Sequence, residues 1–87
     1  MTSKGTALIT GASTGIGAVY ADRLATRGYD LILVARNKEK LQSLASAISD
    51  RTGQAVEVLA ADLGDAADLA KVEKVLREDA SITALVN

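Results

Sequence analysis

Residues 7–17 read Ala-Leu-Ile-Thr-Gly-Ala-Ser-Thr-Gly-Ile-Gly, a short apolar run that breaks into glycines at 11, 15 and 17 and then enters a segment with helical spacing. A parallel strand that ends in glycine-rich backbone and feeds a helix gathers backbone N–H groups and the positive end of a helix dipole at one point. Such a point suits a phosphate. Gly11 permits a sharp exit from the strand, Gly15 a close approach of backbone to a pyrophosphate, and Gly17 tight packing of the first helical turn on the strand. Ser13 and Thr14 add hydroxyl donors. A ligand-free strand-to-helix turn accounts for the same glycines, so the loop alone decides nothing. Two rival phosphate loops fail on spacing. A Walker loop needs Lys-Ser/Thr after its last glycine, whereas Ile16 and Gly17 follow Gly15, and G-x-G-x-x-G begun at Gly15 puts Tyr20 in the third glycine's place.

Outward from the glycines, apolar runs recur at 8–10 (LIT), 31–35 (LILVA), 56–60 (VEVLA) and 82–86 (ITALV), each separated from the next by a helically spaced segment. That alternation reads as βαβ units. The unbroken run Leu31–Ala35 predicts a strand covered on both faces, inside a parallel sheet. Glu57, a charge in mid-strand, predicts that the third strand lies at an edge. The first helix presents Ile16, Val19, Tyr20 and Leu24 on one side and stops at Gly28, which makes Tyr20 a core residue. The second buries Leu41, Leu44, Ala45 and Ile48 and ends at Gly53; the third opens at Asp65 and buries Leu69, Val72 and Leu76. Right-handed crossovers, with a return across the first strand after the third, predict the sheet order 3-2-1-4. The fold class is therefore α/β, a Rossmann-type parallel sheet with helices on both faces. No repeat or internal boundary divides residues 1–87. The chain stops at Asn87, directly after a strand whose apolar edge that order leaves bare, so a single partial dinucleotide-binding domain, truncated, is the expectation.

Composition narrows the chemistry. Hydrophobic residues at 48%, charged residues at 24% and a net charge of −1 describe an ordinary globular chain without the basic surface a nucleic-acid partner requires. With no Cys and no His, disulfides, a typical zinc site, a Cys nucleophile and a Ser-His-Asp triad are excluded, and no metal ligand set is assigned. The apolar opening run is far shorter than a signal-peptide core or the ~20 residues of a membrane span, so a cytoplasmic protein without a membrane partner is expected.

The full string Thr10-Gly11-Ala12-Ser13-Thr14-Gly15-Ile16-Gly17 resembles the TGxxxGIG cofactor motif of short-chain dehydrogenases/reductases. The resemblance runs the length of the chain, through Ala35-Arg36-Asn37, Asp62-Leu63 and Leu85-Val86-Asn87, the last similar to the opening of the family's LVNNAG. It implies a dinucleotide held by Gly11, Ser13, Thr14, Gly15, Ile16, Gly17, Arg36, Asn37, Asp62, Leu63 and Asn87, with Asp62 and Leu63 at the adenine. It implies hydride transfer between nicotinamide and a small-molecule carbonyl or alcohol in the complete enzyme, in a homo-oligomer, using a Tyr, a Lys four residues later and a Ser. Neither tyrosine fits: Leu24 stands four positions after Tyr20 and Leu33 four after Tyr29, so no catalytic residue is assigned within the chain.

Folds that prefer NAD place an acid at the end of the second strand to hold the ribose hydroxyls. Here Ala35 and Arg36 stand there, and a guanidinium makes charge-assisted bonds to the 2′-phosphate of NADP that a carboxylate would repel. Asp30 precedes the strand and belongs to the opposite end of the sheet. Thr14, before the second glycine, supplies no charge, so the NADP(H) preference rests on Arg36, with Asn37 and Lys38 as possible helpers, and NAD(H) stays open. Two other classes compete: a non-catalytic nucleotide-binding or assembly module that pairs through the fourth strand, and a flavodoxin-like FMN site on Ser13-Thr14-Gly15, which leaves Gly17 and Arg36 unexplained.

Overall fold

Strand and helix alternate from end to end in the computed structural model, which describes residues 4–12 and 15–86: β1 (Thr6–Thr10), α1 (Gly15–Thr26), β2 (Asp30–Ala35), α2 (Lys38–Thr52), β3 (Val56–Ala60), α3 (Ala66–Glu78) and β4 (Ile82–Val86). The strands form one parallel sheet in the order β3-β2-β1-β4, as the crossover rule predicts. Leu8 pairs with Ile32 on one side and Leu85 on the other, and Leu33 pairs with Ile9 and Val58. The register slips between Thr6, opposite Ile82, and Ala7, opposite Ala84. The skipped residue, Thr83, turns its hydroxyl to donate to the Lys4 carbonyl at 3.1 Å.

Both faces of the sheet are covered. Ala7, Ile9, Leu31 and Leu33 pack against Ala21 and Ala25 of α1 and Leu41, Ala45 and Ile48 of α2. On the opposite face Leu8, Ile32 and Val34 pack with Ala61 and with Val72 of α3. This is why residues 31–35 show no polar alternation: successive side chains enter different halves of the core. Glu57 is exposed on β3, which is an edge strand.

Local signals set the helix ends. Asn37 caps α2, its Oδ1 accepting the Lys40 N–H at 3.1 Å, and Gly53 closes the helix in the left-handed region at φ 76°. Asp65 caps α3, its Oδ1 accepting the N–H groups of Ala67 at 2.9 Å and Asp68 at 3.2 Å. An Asp22–Arg51 ion pair joins α1 to α2.

The helix faces differ from expectation in two places. In α1 the buried row is Gly17, Ala21 and Ala25, whereas Ile16 is 75% exposed, Val19 49% and Tyr20 50%, so Tyr20 is not a core residue. The cause is distance: α1 lies so near β1 that only small side chains fit between them, and the larger apolar row is turned outward. Leu24 alone of the expected stripe packs against the core. In α3, Leu69 is 40% exposed, and Val75 joins Val72 and Leu76 against the sheet instead. No helix among the described residues is long and apolar enough to cross a membrane.

Candidate functional site

The carboxyl ends of β1, β2 and β3 are held level by hydrogen bonds that continue past the strands. The Ala12 N–H donates to the Val34 carbonyl at 3.4 Å, and the Ala61 N–H to the Ala35 carbonyl at 3.0 Å. Three connections therefore leave the sheet together, and between them opens a cleft of about 430 Å³. That volume suits a ligand, and the position, outside the strand ends of an open α/β sheet, is where such folds bind them.

Gly11 forms the β1–α1 wall, in the left-handed region at φ 66°. Beside it, a Cβ on Gly17 would collide with the Gly11 carbonyl oxygen and stand 2.9 Å from the Ala12 Cα. The glycine at 17 is thus a packing requirement. A Cβ on Gly15 would meet nothing within 4 Å, so its smallness serves open space at the mouth of the turn. The first turn of α1 carries no acidic side chain that would repel an anion from its N-terminus.

The β2–α2 wall consists of Val34, Ala35, Arg36, Asn37 and Lys40. Asn37 is committed through its Oδ1 to capping, which leaves its amide nitrogen as a donor. The third wall, Ala61–Gly64, is stitched in place. Asp62 Oδ1 accepts the Gly64 N–H at 2.9 Å, the Asp62 carbonyl accepts the Asp65 N–H at 2.9 Å, and the Asp62 N–H donates to Asp68 Oδ2 at 2.9 Å. The Asp62 N–H, with Lys71 at 3.4 Å, holds the Asp68 carboxyl below its usual range.

Charge is divided across the cleft. Arg36 and Lys40 stand on the β2–α2 wall and Asp62 on the β3–α3 wall. A ligand with an anionic group at one end and a hydrogen-bond donor at the other matches that polarity. Of the residues named from the sequence, Gly11, Arg36, Asn37, Asp62 and Leu63 come together around the cleft, while Gly15, Ile16 and Gly17 begin α1 beside it. Ser13, Thr14 and Asn87 lie outside the described residues. Asp30 opens β2 at the far end of the sheet, where its Oδ1 accepts the Ala55 N–H at 3.0 Å. Sequence reasoning gave no site role to Lys40, a water-facing residue one helical turn beyond Arg36, or to Asp68, one of the acids at the start of the third helix, whose bond to Asp62 closes across a turn.

The model of the short chain dehydrogenase family matches residues 5–87. A very-long-chain 3-oxoacyl-CoA reductase from Anas platyrhynchos is 40% identical over 81 residues, 93% of this chain and 26% of that protein. Among solved structures, a short-chain dehydrogenase from Sphingobium yanoikuyae in complex with NADPH superposes with a TM-score of 0.91 at 60% identity, covering 93% of this chain and 32% of that one. L-sorbose reductase from Gluconobacter frateurii, complexed with NADPH and L-sorbose, does so with a TM-score of 0.85 at 34% identity, covering 98% and 33%. The chain spans between 26% and 33% of the length of these relatives. With the strand order, the glycine turn and the family match in agreement along its whole described length, the chain belongs to the short-chain dehydrogenase family.

Proposed function

We propose that residues 1–87 form the NADP(H)-binding N-terminal part of a short-chain dehydrogenase/reductase-type oxidoreductase, a single cofactor-binding unit of a longer fold. The observation that carries this reading is the divided charge of the cleft, with Arg36 and Lys40 facing Asp62 across it. An adenosine 2′-phosphate has the complementary polarity, an anion at the ribose and an amine on the base. The glycine turn fits the rest, because the missing Cβ of Gly17 leaves the N–H groups of the first helical turn close to the strand end, where a pyrophosphate is stabilised.

In this assignment Gly11, Gly15, Ile16 and Gly17 hold the pyrophosphate with Ser13 and Thr14, Arg36 and Asn37 hold the 2′-phosphate, and Asp62 accepts from the adenine amine. Leu63, 40% exposed, offers an apolar surface to the base, and Asn87 completes the set. The nicotinamide supplies hydride to a carbonyl or takes it from an alcohol. The chain's own residues bind and orient, and the proton that accompanies hydride transfer falls to groups outside residues 1–87. The NADPH-bound structures of the Sphingobium and Gluconobacter relatives support the cofactor's identity.

Arg36→Asp tests the reading by titration calorimetry. NADPH affinity is expected to fall by about 1.5–3 kcal/mol, the worth of hydrogen bonds to a charged group, while NADH affinity holds. Equal losses for both cofactors would refute it. A second reading, an assembly module that pairs through β4, draws on Leu85, 52% exposed at an open sheet edge. It requires dimers in light scattering that Leu85→Lys dissociates, and a monomeric chain excludes it.

A further inference from the structure

Resting on the cofactor reading above, we propose that Lys40 is the second cation for the 2′-phosphate and a determinant of specificity for it. A phosphate monoester carries about −1.5 to −2 charge at pH 7, so one guanidinium leaves part of that charge unmatched. The cleft wall that holds Arg36 offers one further cation, Lys40.

Its placement is singular among the described residues. Besides the cleft, Lys40 lines a second hollow, with Ala12 and Ala18 of the β1–α1 region and Ser43 of α2. It is the residue the two cavities share, so its ammonium stands on a stem rooted where the cleft meets the glycine turn. The root is firm: the Lys40 N–H is bonded to Asn37 Oδ1 at 3.1 Å, and the next residue, Leu41, is buried in the core. The stem itself is exposed and free to reach.

Position separates Lys40 from its rival. Lys38 borders an outer hollow with Arg36, Asn37 and Glu39 but does not line the cleft, whereas Lys40 does. Glu39 borders both outer hollows, beside Arg36 in one and Lys40 in the other, but not the cleft, where the acid is Asp62 on the opposite wall. Neither Arg36 nor Lys40 forms an ion pair among the described residues, and both charges remain available to a ligand.

The test is calorimetric titration of the full chain with adenosine 2′,5′-bisphosphate and with adenosine 5′-monophosphate, which differ only in the 2′-phosphate. Lys40→Gln is expected to weaken the bisphosphate about five-fold or more, as loss of a solvent-exposed charge-assisted contact should, and to leave the monophosphate within about two-fold. Lys40→Arg should restore the preference, and Lys38→Gln should leave it unchanged. Melting curves should coincide, because the side chain is exposed. Lys40→Gln losses that are equal for both ligands, or absent, or matched by Lys38→Gln, overturn the proposal. Wild-type chain that shows no preference for the bisphosphate overturns the NADP(H) reading and this one with it, whereas a preference that Lys40→Gln leaves undiminished overturns the Lys40 assignment alone.

Discussion

Adding one methyl group at residue 17 tests whether α1 is held against β1 as closely as the glycine turn requires. The new Cβ of Gly17→Ala would collide with the Gly11 carbonyl oxygen and sit 2.9 Å from the Ala12 Cα and 3.0 Å from the Gly11 carbonyl carbon, all backbone atoms. Ordinary contact begins near 3.4 Å, so the first turn of α1 must retreat by about half an ångström from the Ala12 Cα and by more from the Gly11 carbonyl oxygen. The loop cannot yield in its place, since Ala12 is buried and its N–H is bonded to Val34. Overpacking of this kind costs roughly 1–3 kcal/mol, against about 1 kcal/mol gained by Ala over Gly in a helix. Gly15→Ala is the matched control, because its Cβ meets nothing within 4 Å and neither glycine has a positive φ. The propensity gain is common to both variants to first order, so their difference isolates the steric term. Urea unfolding followed by circular dichroism should place Gly17→Ala about 1–3 kcal/mol below Gly15→Ala. Equal stability for the two variants would refute the close-approach reasoning.

Further tests follow from packing and ionisation. Ile16→Ser should change stability by no more than about 0.5 kcal/mol because residue 16 is 75% exposed, whereas Ala25→Leu, at a position 1% exposed against the sheet, should cost roughly 1–3 kcal/mol in the same urea assay. A large loss from Ile16→Ser would return the outer stripe of α1 to the core. The Asp68 carboxyl has its folded pKa depressed below 3.8, chiefly by the Asp62 N–H, so its stabilisation of the β3–α3 turn is full above that value and is lost as pH falls through the folded pKa. The Asp62 amide resonance should therefore titrate with a midpoint below 3.8, and a midpoint at or above it would contradict the bond.

Much of this architecture is legible residue by residue. The unbroken Leu31–Ala35 run predicts a doubly covered strand, Glu57 an edge, and Asp65 and Gly53 helix ends, and each is found there. These are local or pairwise rules, in which a strand's exposure or a cap's chemistry is written in the residues that carry it. The glycine spacing, read with Arg36 after the second strand, likewise selected the end of the sheet at which the cleft opens.

Depth and proximity were not legible. Periodicity groups Ile16, Val19, Tyr20 and Leu24 on one side of a helix, yet it carries no measure of how near the neighbouring strand lies. The contact at Gly17 sets that distance, and at that distance Gly17, Ala21 and Ala25 are the residues that fit. In the same way, Asp68 ties down Asp62, and Lys40 joins Arg36 at one cleft, because separate turns converge where the strands end. The chain's own pattern therefore determined the elements, their order and the glycine turn. Tertiary packing alone decided which face of α1 is buried and which charges face one another, since both depend on distances between segments that no local pattern encodes.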